Sequence, residues 1–270
     1  MNREKSARRM WRIWLALVGV VVYLPVATVV ALSFNESRYG TLPFTFTLKW
    51  YELLFSDNTL LTGALRSLGL AAIVAITAGI VGTMTSLWLA RVAKLSAIPM
   101  TGLLTSAITI PWLILSVSIL LLAFALGIGR SFLTLFIGSL VVVVPYVVFL
   151  TTARLQGLGT KLEDAASSLG AGPFTAFRLI TLPQIFPSVL SGTLFAFIIT
   201  FNNFPVQYFL SPFGFNTLPL QIYTMVRSGY EPNINALAAI LILISLAIAF
   251  VVSGSRGSSL IQFASKQSQQ

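Results

Sequence analysis

The chain of 270 residues reads as an all-α, polytopic membrane protein with six transmembrane helices. Three observations lead there. Hydrophobic residues make up 56% of it and charged residues 9%, and the mean hydropathy is +0.90, well beyond an ordinary soluble domain. The apolar residues gather into runs of the length that carries a helix across a hydrocarbon layer about 30 Å thick. The charges sit between those runs and never in their centres, where they would be expensive.

The first run, residues 13–32, follows Arg3, Lys5, Arg8, Arg9 and Arg12. A signal peptide also starts on basic residues, but its apolar core is typically about 7–15 residues, so this run is expected to stay as a first span. Trp11 and Trp14 stand at its interface. Residues 33–65, with Glu36, Arg38, Lys49, Glu52, Asp57 and two aromatic clusters, are too polar to cross. The second span is expected at 67–90, ending on Arg91 and Lys94, and the third at 98–126 with Pro111 inside. A tight turn over 127–130 leads to a fourth at 132–152, interrupted by Pro145; prolines are tolerated in spans because neighbouring helices re-satisfy the freed backbone. The fifth is expected at 188–210 and the sixth at 234–252, with residues 218–227 between them as a short amphipathic helix and 229–233 as a turn. The whole chain, 1–270, is expected to be one transmembrane domain: an N-terminal span, a core unit at 66–253, and a loop at 154–187.

Six spans put both termini on one side, and basic residues decide which. With the N-terminus inside, the inner segments hold Arg3, Lys5, Arg8, Arg9, Arg12, Arg91, Lys94, Arg154, Lys161, Arg178, Arg256 and Lys266; the outer ones hold only Arg38, Lys49, Arg66, Arg130 and Arg227. The termini and the 154–187 loop are therefore expected in the cytosol. The net charge of +10 is spread over short loops rather than one face, so it is no nucleic-acid signal.

That loop holds most of the local chemistry. Thr160 and Glu163 have the spacing of a capping box, and Glu163 and Asp164 suit the positive end of a helix dipole. Ala165, Ala166 and Leu169 continue the helix to Gly170, a left-handed stop. Gly172 and Pro173 open a second helix, which Pro183 is expected to end. The product is a compact pair of helices with acids and small residues exposed, a shape for docking on another protein.

Asp164, Ala165, Ala166, Gly170, Ile180, Leu182 and Pro183 also reproduce the motif E-A-A, three residues, G, nine residues, I-x-L-P, with aspartate for the first glutamate and Glu163 beside it. This resembles the loop by which permease subunits of binding-protein-dependent ABC importers engage their ATPase. The resemblance implies that Glu163, Asp164, Ala165, Ala166, Gly170, Leu182 and Pro183 form the coupling surface.

Absences narrow the chemistry. There is no cysteine and no histidine, which removes disulfides, thiolate chemistry and histidine metal sites, and no metal site is expected. The pattern G-x-x-x-x-G-K-[ST] is missing, so the chain holds no nucleotide by that route, and energy for uphill transport has to come from a partner. Uncharged span cores disfavour an ion-coupled carrier, although a secondary carrier or channel working without an ATPase stays as the rival reading. No set of ionisable residues converges for a membrane-embedded enzyme.

The fifth span carries Thr200, Phe201, Asn202, Asn203, Phe204, Pro205, Val206, Gln207 and Tyr208. Amides in hydrocarbon need partners, so all of these are expected to face inward. Pro205 frees the carbonyl near Phe201. Two readings stand side by side: Asn202, Asn203 and Gln207 bond between helices, or they line a translocation route with Phe201 and Tyr208 as gating or stacking surfaces.

L-P-L-Q-I-Y-T-M-V-R-S-G-Y-E-P-N-I-N-A-L-A-A-I from Leu218, with L-E-D-A-A-S-S-L-G-A from Leu162, resembles the second permease of spermidine/putrescine-type ABC importers. That resemblance implies a type I importer fold in the inner membrane, a second homologous permease, two copies of an ABC ATPase that bind the ATP and magnesium, and an extracytoplasmic solute-binding protein. The chain itself then needs no cofactor. Relatives of this type often carry two aspartates where Asn202 and Asn203 stand, which argues against a cationic polyamine and leaves opines, amino-acid derivatives, phosphonates and metal chelates open.

Overall fold

A computed structural model of the chain describes residues 2–37, 40–41, 43–91, 94–159, 161–229 and 232–246. Regular structure among them is helical, apart from one isolated bridge between Asn35 and Phe46. The chain forms two compact units, one of residues 59–221 and one of the two flanking segments.

The flanking unit holds α1 (Asn2–Leu32), α2 (Lys49–Ser56) and α12 (Asn233–Leu246). The polar connection after α1 is tied down locally: Trp50 Nε1 donates to Asn35 O at 2.7 Å, the Ser33 and Tyr51 hydroxyls meet at 2.7 Å, and Phe34 packs on Phe46 and Tyr51. The rest of the expected sixth span, beyond residue 246, and the turn residues Tyr230 and Glu231 lie outside the described residues.

The 59–221 unit is the bundle that carries the site. Its helices are α3 (Asn58–Arg91), α4 (Lys94–Thr109), α5 (Trp112–Ala125), α6 (Phe132–Leu158), α7 (Lys161–Ser168), α8 (Pro173–Ala176), α9 (Leu182–Asn202) and α10 (Phe204–Leu210), and it includes the start of α11 (Leu218–Ser228). The core runs along α6, where Leu135, Val142, Val143 and Val147 are buried against Leu70, Val74, Ala196, Val206 and Leu210. Glycines let the helices close on one another, as is usual where lipid supplies no hydrophobic drive. A Cβ on Gly82 would lie 2.7 Å from Val147 Cβ, and one on Gly192 would lie 3.1 Å from Val147 Cα. Ser86 Oγ satisfies itself on Gly82 O and on Val148 O across the α3–α6 seam.

Several expected boundaries move, each for a local reason. The second span begins earlier, at Asn58, because nothing in 58–66 breaks the helix. The third is a pair bent by 110°, since Ile110 precedes Pro111 and is driven out of the helical region. Pro145, expected to interrupt the fourth span, lies buried inside a continuous α6. Pro183 does not end its helix. The turn Phe177–Thr181 widens into a π-helix, with Leu182 N–H bonding to Phe177 O, and the extra residue takes up the proline ring, so the helix runs from Pro173 to Asn202. The fifth span then breaks at Asn203. Among the described residues four helices are long and apolar enough to cross a membrane, and five if the bent pair is one span, against the six expected.

Candidate functional site

Two places hold the residues singled out by the sequence, and one helix joins them. The first is the loop after α6. Glu163 and Asp164 occupy the first turn of α7, while the expected cap, Thr160, lies outside the described residues. The helix ends as a Schellman turn: Gly170 has φ +86°, and Ala171 N–H reaches back to Ala166 O at 3.0 Å. Gly172, extended, then caps α8 with Pro173 at its first position.

Glu163 is half-buried and accepts a hydrogen bond from Thr181 Oγ1, in the π turn, which pins α7 back onto the next helix. Arg154 Nε donates to Gln184 O at 3.2 Å, fastening the end of α6 to the start of α9. Asp164, Ala165, Gly170 and Pro183 are exposed, and Ala166 and Leu182 are half-buried. Around them four large apolar side chains stand out: Leu162, Leu169 (90% exposed), Phe174 and Leu179. Apolar side chains this open, rimmed by acids and glycines, mark a surface built to be covered.

The second place is the break in the fifth span. Asn203 leaves the helix at φ −78°, ψ 78°, and its Oδ1 accepts from Val206 N–H at 3.1 Å, capping α10. Thr200 O and Phe201 O lose their ordinary donors, because Phe204 lies beyond the break and Pro205 has no N–H. Gln207 Nε2 donates to both, at 2.7 and 3.4 Å, and Gln207 Oε1 accepts from Thr217 Oγ1. Asn203 and Gln207 are buried, as expected of inward-facing amides. Asn202 is not: it is exposed, with Nδ2 on Ile198 O at 3.1 Å. Aromatic pairs flank it, Phe197 stacked on Phe201 at 6.3 Å and Phe204 on Tyr208 at 5.3 Å. Charge is absent from α9 and α10. The nearest is Arg130, whose Nε and Nη2 hold Ser211 O (2.9 Å) and Tyr208 O (3.0 Å) while its plane covers Phe213.

Sequence reasoning missed Thr181, Thr217 and Arg130. Arg130 had a visible signal, an arginine just ahead of the Ser131 helix cap, where Ser131 Oγ receives Thr134 N–H. The two threonines had none, since their partners lie 18 and 10 residues away.

An apolar bundle with several helices long enough to span a bilayer, an exposed acid-and-glycine loop and an uncharged broken span mark a multi-pass membrane protein. Residues 82–257 match the family described as "Binding-protein-dependent transport system inner membrane component". The chain is 35% identical to the "Spermidine/putrescine transport system permease protein PotC" of Haemophilus influenzae, over 86% of this chain and 90% of that one. It is 34% identical to the "Putrescine transport system permease protein PotI" of Escherichia coli, over 90% and 89%. Its fold is similar to that in the crystal structure of a bacterial ABC transporter involved in the import of alginate, with TM-score 0.71, 14% identity, and 94% and 98% of the two chains covered. The chain belongs to the binding-protein-dependent transport system inner membrane component family. It is a permease subunit of an ABC importer with the type I fold.

Proposed function

We propose that this chain is half of an ATP-driven import pathway for a small polar solute, with residues 66–253 as its core permease unit and α7 as the point where force enters. The observation that carries this reading is the unbroken helix from Pro173 to Asn202, which joins the exposed loop directly to the break in the fifth span. Glu163, Asp164, Ala165, Ala166, Gly170, Leu182 and Pro183 form the coupling surface. A second homologous permease completes the pathway, two ABC ATPase copies bind and hydrolyse ATP with magnesium, and an extracytoplasmic binding protein delivers the solute. The excess of basic residues in the N-terminal segment and the second and fourth connections supports a plasma-membrane orientation with both termini in the cytosol.

Phe201, Asn202 and Tyr208 line the route, whereas Asn203 and Gln207 shape it. Polyamines stand first among solutes because the relatives above carry those names; an opine or amino-acid derivative is second, favoured by amides where acids would pair with a cation. Gly170→Asp tests the mechanism. At φ +86° a side chain is strained, and the added carboxylate faces a docked partner. Expected is loss of ATP-driven spermidine uptake in proteoliposomes with the four-part complex still assembling. Full uptake by this chain alone, without an ATPase, refutes the reading.

A further inference from the structure

We infer that Gln207 is a positioning residue of the transport cycle: it holds the break at Asn203 open and fixes the angle at which α9 meets α10, and so where Phe201 and Asn202 are presented. This rests on the pathway reading above. Gln207 is 1% exposed, so its head is not offered to solute. Both protons on its Nε2 are committed to carbonyls at the break: Phe201 O, and Thr200 O, which otherwise has a long 3.4 Å bond from Asn203 N–H. A plug for those carbonyls would need nothing more. The same amide also accepts from Thr217 Oγ1, and the next residue, Leu218, donates its N–H to Ser67 Oγ on α3 at 2.9 Å. One buried side chain therefore links the end of α9, the body of α10 and the α3 side of the bundle.

The packing differs on the two sides of the break. Below the break, α9 is locked to the later half of α6, with Gly192 against Val147. Beyond it, α10 is locked to the earlier half, with Leu210 against Gly138, and Arg130 and Arg66 hold the carbonyls of Tyr208, Ser211 and Gly214. Between those two halves of α6 stands Pro145, where the helix lacks one backbone bond. Pro145 stands near the level of Phe195, whose ring meets that of Tyr146 at 5.4 Å, about two turns before the interruption that Gln207 bridges. At the two ends of α10, Thr200 Oγ1 and Ser211 Oγ are buried with no partner among the described residues. Buried hydroxyls of this kind are what a second arrangement of the break would satisfy.

The chain has no cysteine, so spin labels at Leu190→Cys on α9 and Asn216→Cys beyond α10, both exposed, read the angle in the assembled transporter in nanodiscs. The wild type is expected to give one narrow distance distribution that shifts when ATP is trapped with vanadate. Gln207→Met should broaden it and lower spermidine uptake roughly tenfold or more, the scale of a misplaced site. Adding Pro205→Ala restores a backbone donor and heals the helix. That double variant should regain thermal stability and a narrow distribution, at a longer distance, without regaining uptake. Recovery of uptake together with stability would make Gln207 a structural plug and overturn the inference, as would a wild-type distribution in Gln207→Met. Should Gln207→Met fail to assemble, Thr217→Val decides: a broadened distribution supports the role and an unchanged one refutes it. The distances do not depend on solute, so a wild type indifferent to spermidine would sink the polyamine reading alone.

Discussion

Gly192 packs directly against the backbone of α6, and replacing it tests whether close helix approach, rather than general apolarity, holds α6 to α9. An alanine Cβ there would stand 3.1 Å from Val147 Cα and 3.4 Å from its Cγ1. The first of these is backbone and has no rotamer to turn, so the helices must part by a few tenths of an ångström along a seam that buries Val147, Val148, Ile185 and Ala196. Overpacking of this kind costs about 1–3 kcal/mol, offset by about 1 kcal/mol from alanine's better helix propensity. Gly69→Ala is the control, because nothing lies within 4 Å of its Cβ and only the propensity gain applies. The two variants should therefore differ by about 1–3 kcal/mol. At about 2–4 °C per kcal/mol, Gly192→Ala should melt several degrees below Gly69→Ala when thermal unfolding is followed by tryptophan fluorescence in nanodiscs. If Gly192→Ala melts at or above the control, the close-approach argument is wrong.

Two further substitutions separate the roles of the remaining contacts. Arg130→Lys keeps the charge but loses the planar fork that holds both Tyr208 O and Ser211 O, so about 1–2 kcal/mol of local stability should go. Hydrogen exchange over residues 211–217 should quicken while the rest of the bundle is unchanged, and an unchanged loop would show the clamp to be idle. Thr181→Val preserves shape and removes the donor to Glu163, a bond to a charged group worth about 1.5–3 kcal/mol. Faster exchange in α7 and weaker coupling of ATP hydrolysis to uptake are expected, with Thr181→Ser retaining both; α7 as protected as in wild type would exclude the brace.

Most spans were legible because they need only hydropathy, and some helix ends with turn chemistry were legible too: Gly170 announces a stop and Gly172 with Pro173 a start from the sequence alone. Prolines were harder to judge. Three of them sit in comparable apolar surroundings and act differently: Pro111 starts a helix after a 110° bend, Pro145 stays inside one, and Pro183 follows a π turn that absorbs it. The sequence shows each proline but not whether the turn before it widens, as at Pro183, or the chain bends away, as at Pro111. The amides show the same limit. Their composition marked the segment, but only the fold shows that Asn203 caps, Gln207 bridges and Asn202 stays exposed.

The brace between Glu163 and Thr181 is what the proposed lever would need in a loop containing glycines at 170 and 172. A push on α7 would ordinarily be lost there, since Gly170 already sits in the left-handed region and nothing crowds either residue. The Thr181 hydroxyl closes a triangle whose sides are α7, the turn over 169–172, and the helix from Pro173, and a triangle transmits displacement that an open corner would absorb. Arg154, on Gln184 O, sets the pivot just beyond it. On the proposed coupling, motion entering at α7 would be carried along the continuous helix as far as Asn203. The helix ends there against α10, which is held by Arg130 and bridged by Gln207. On the proposed coupling, work delivered at the loop would be spent on a stretch of the span where polar atoms and aromatic faces are gathered.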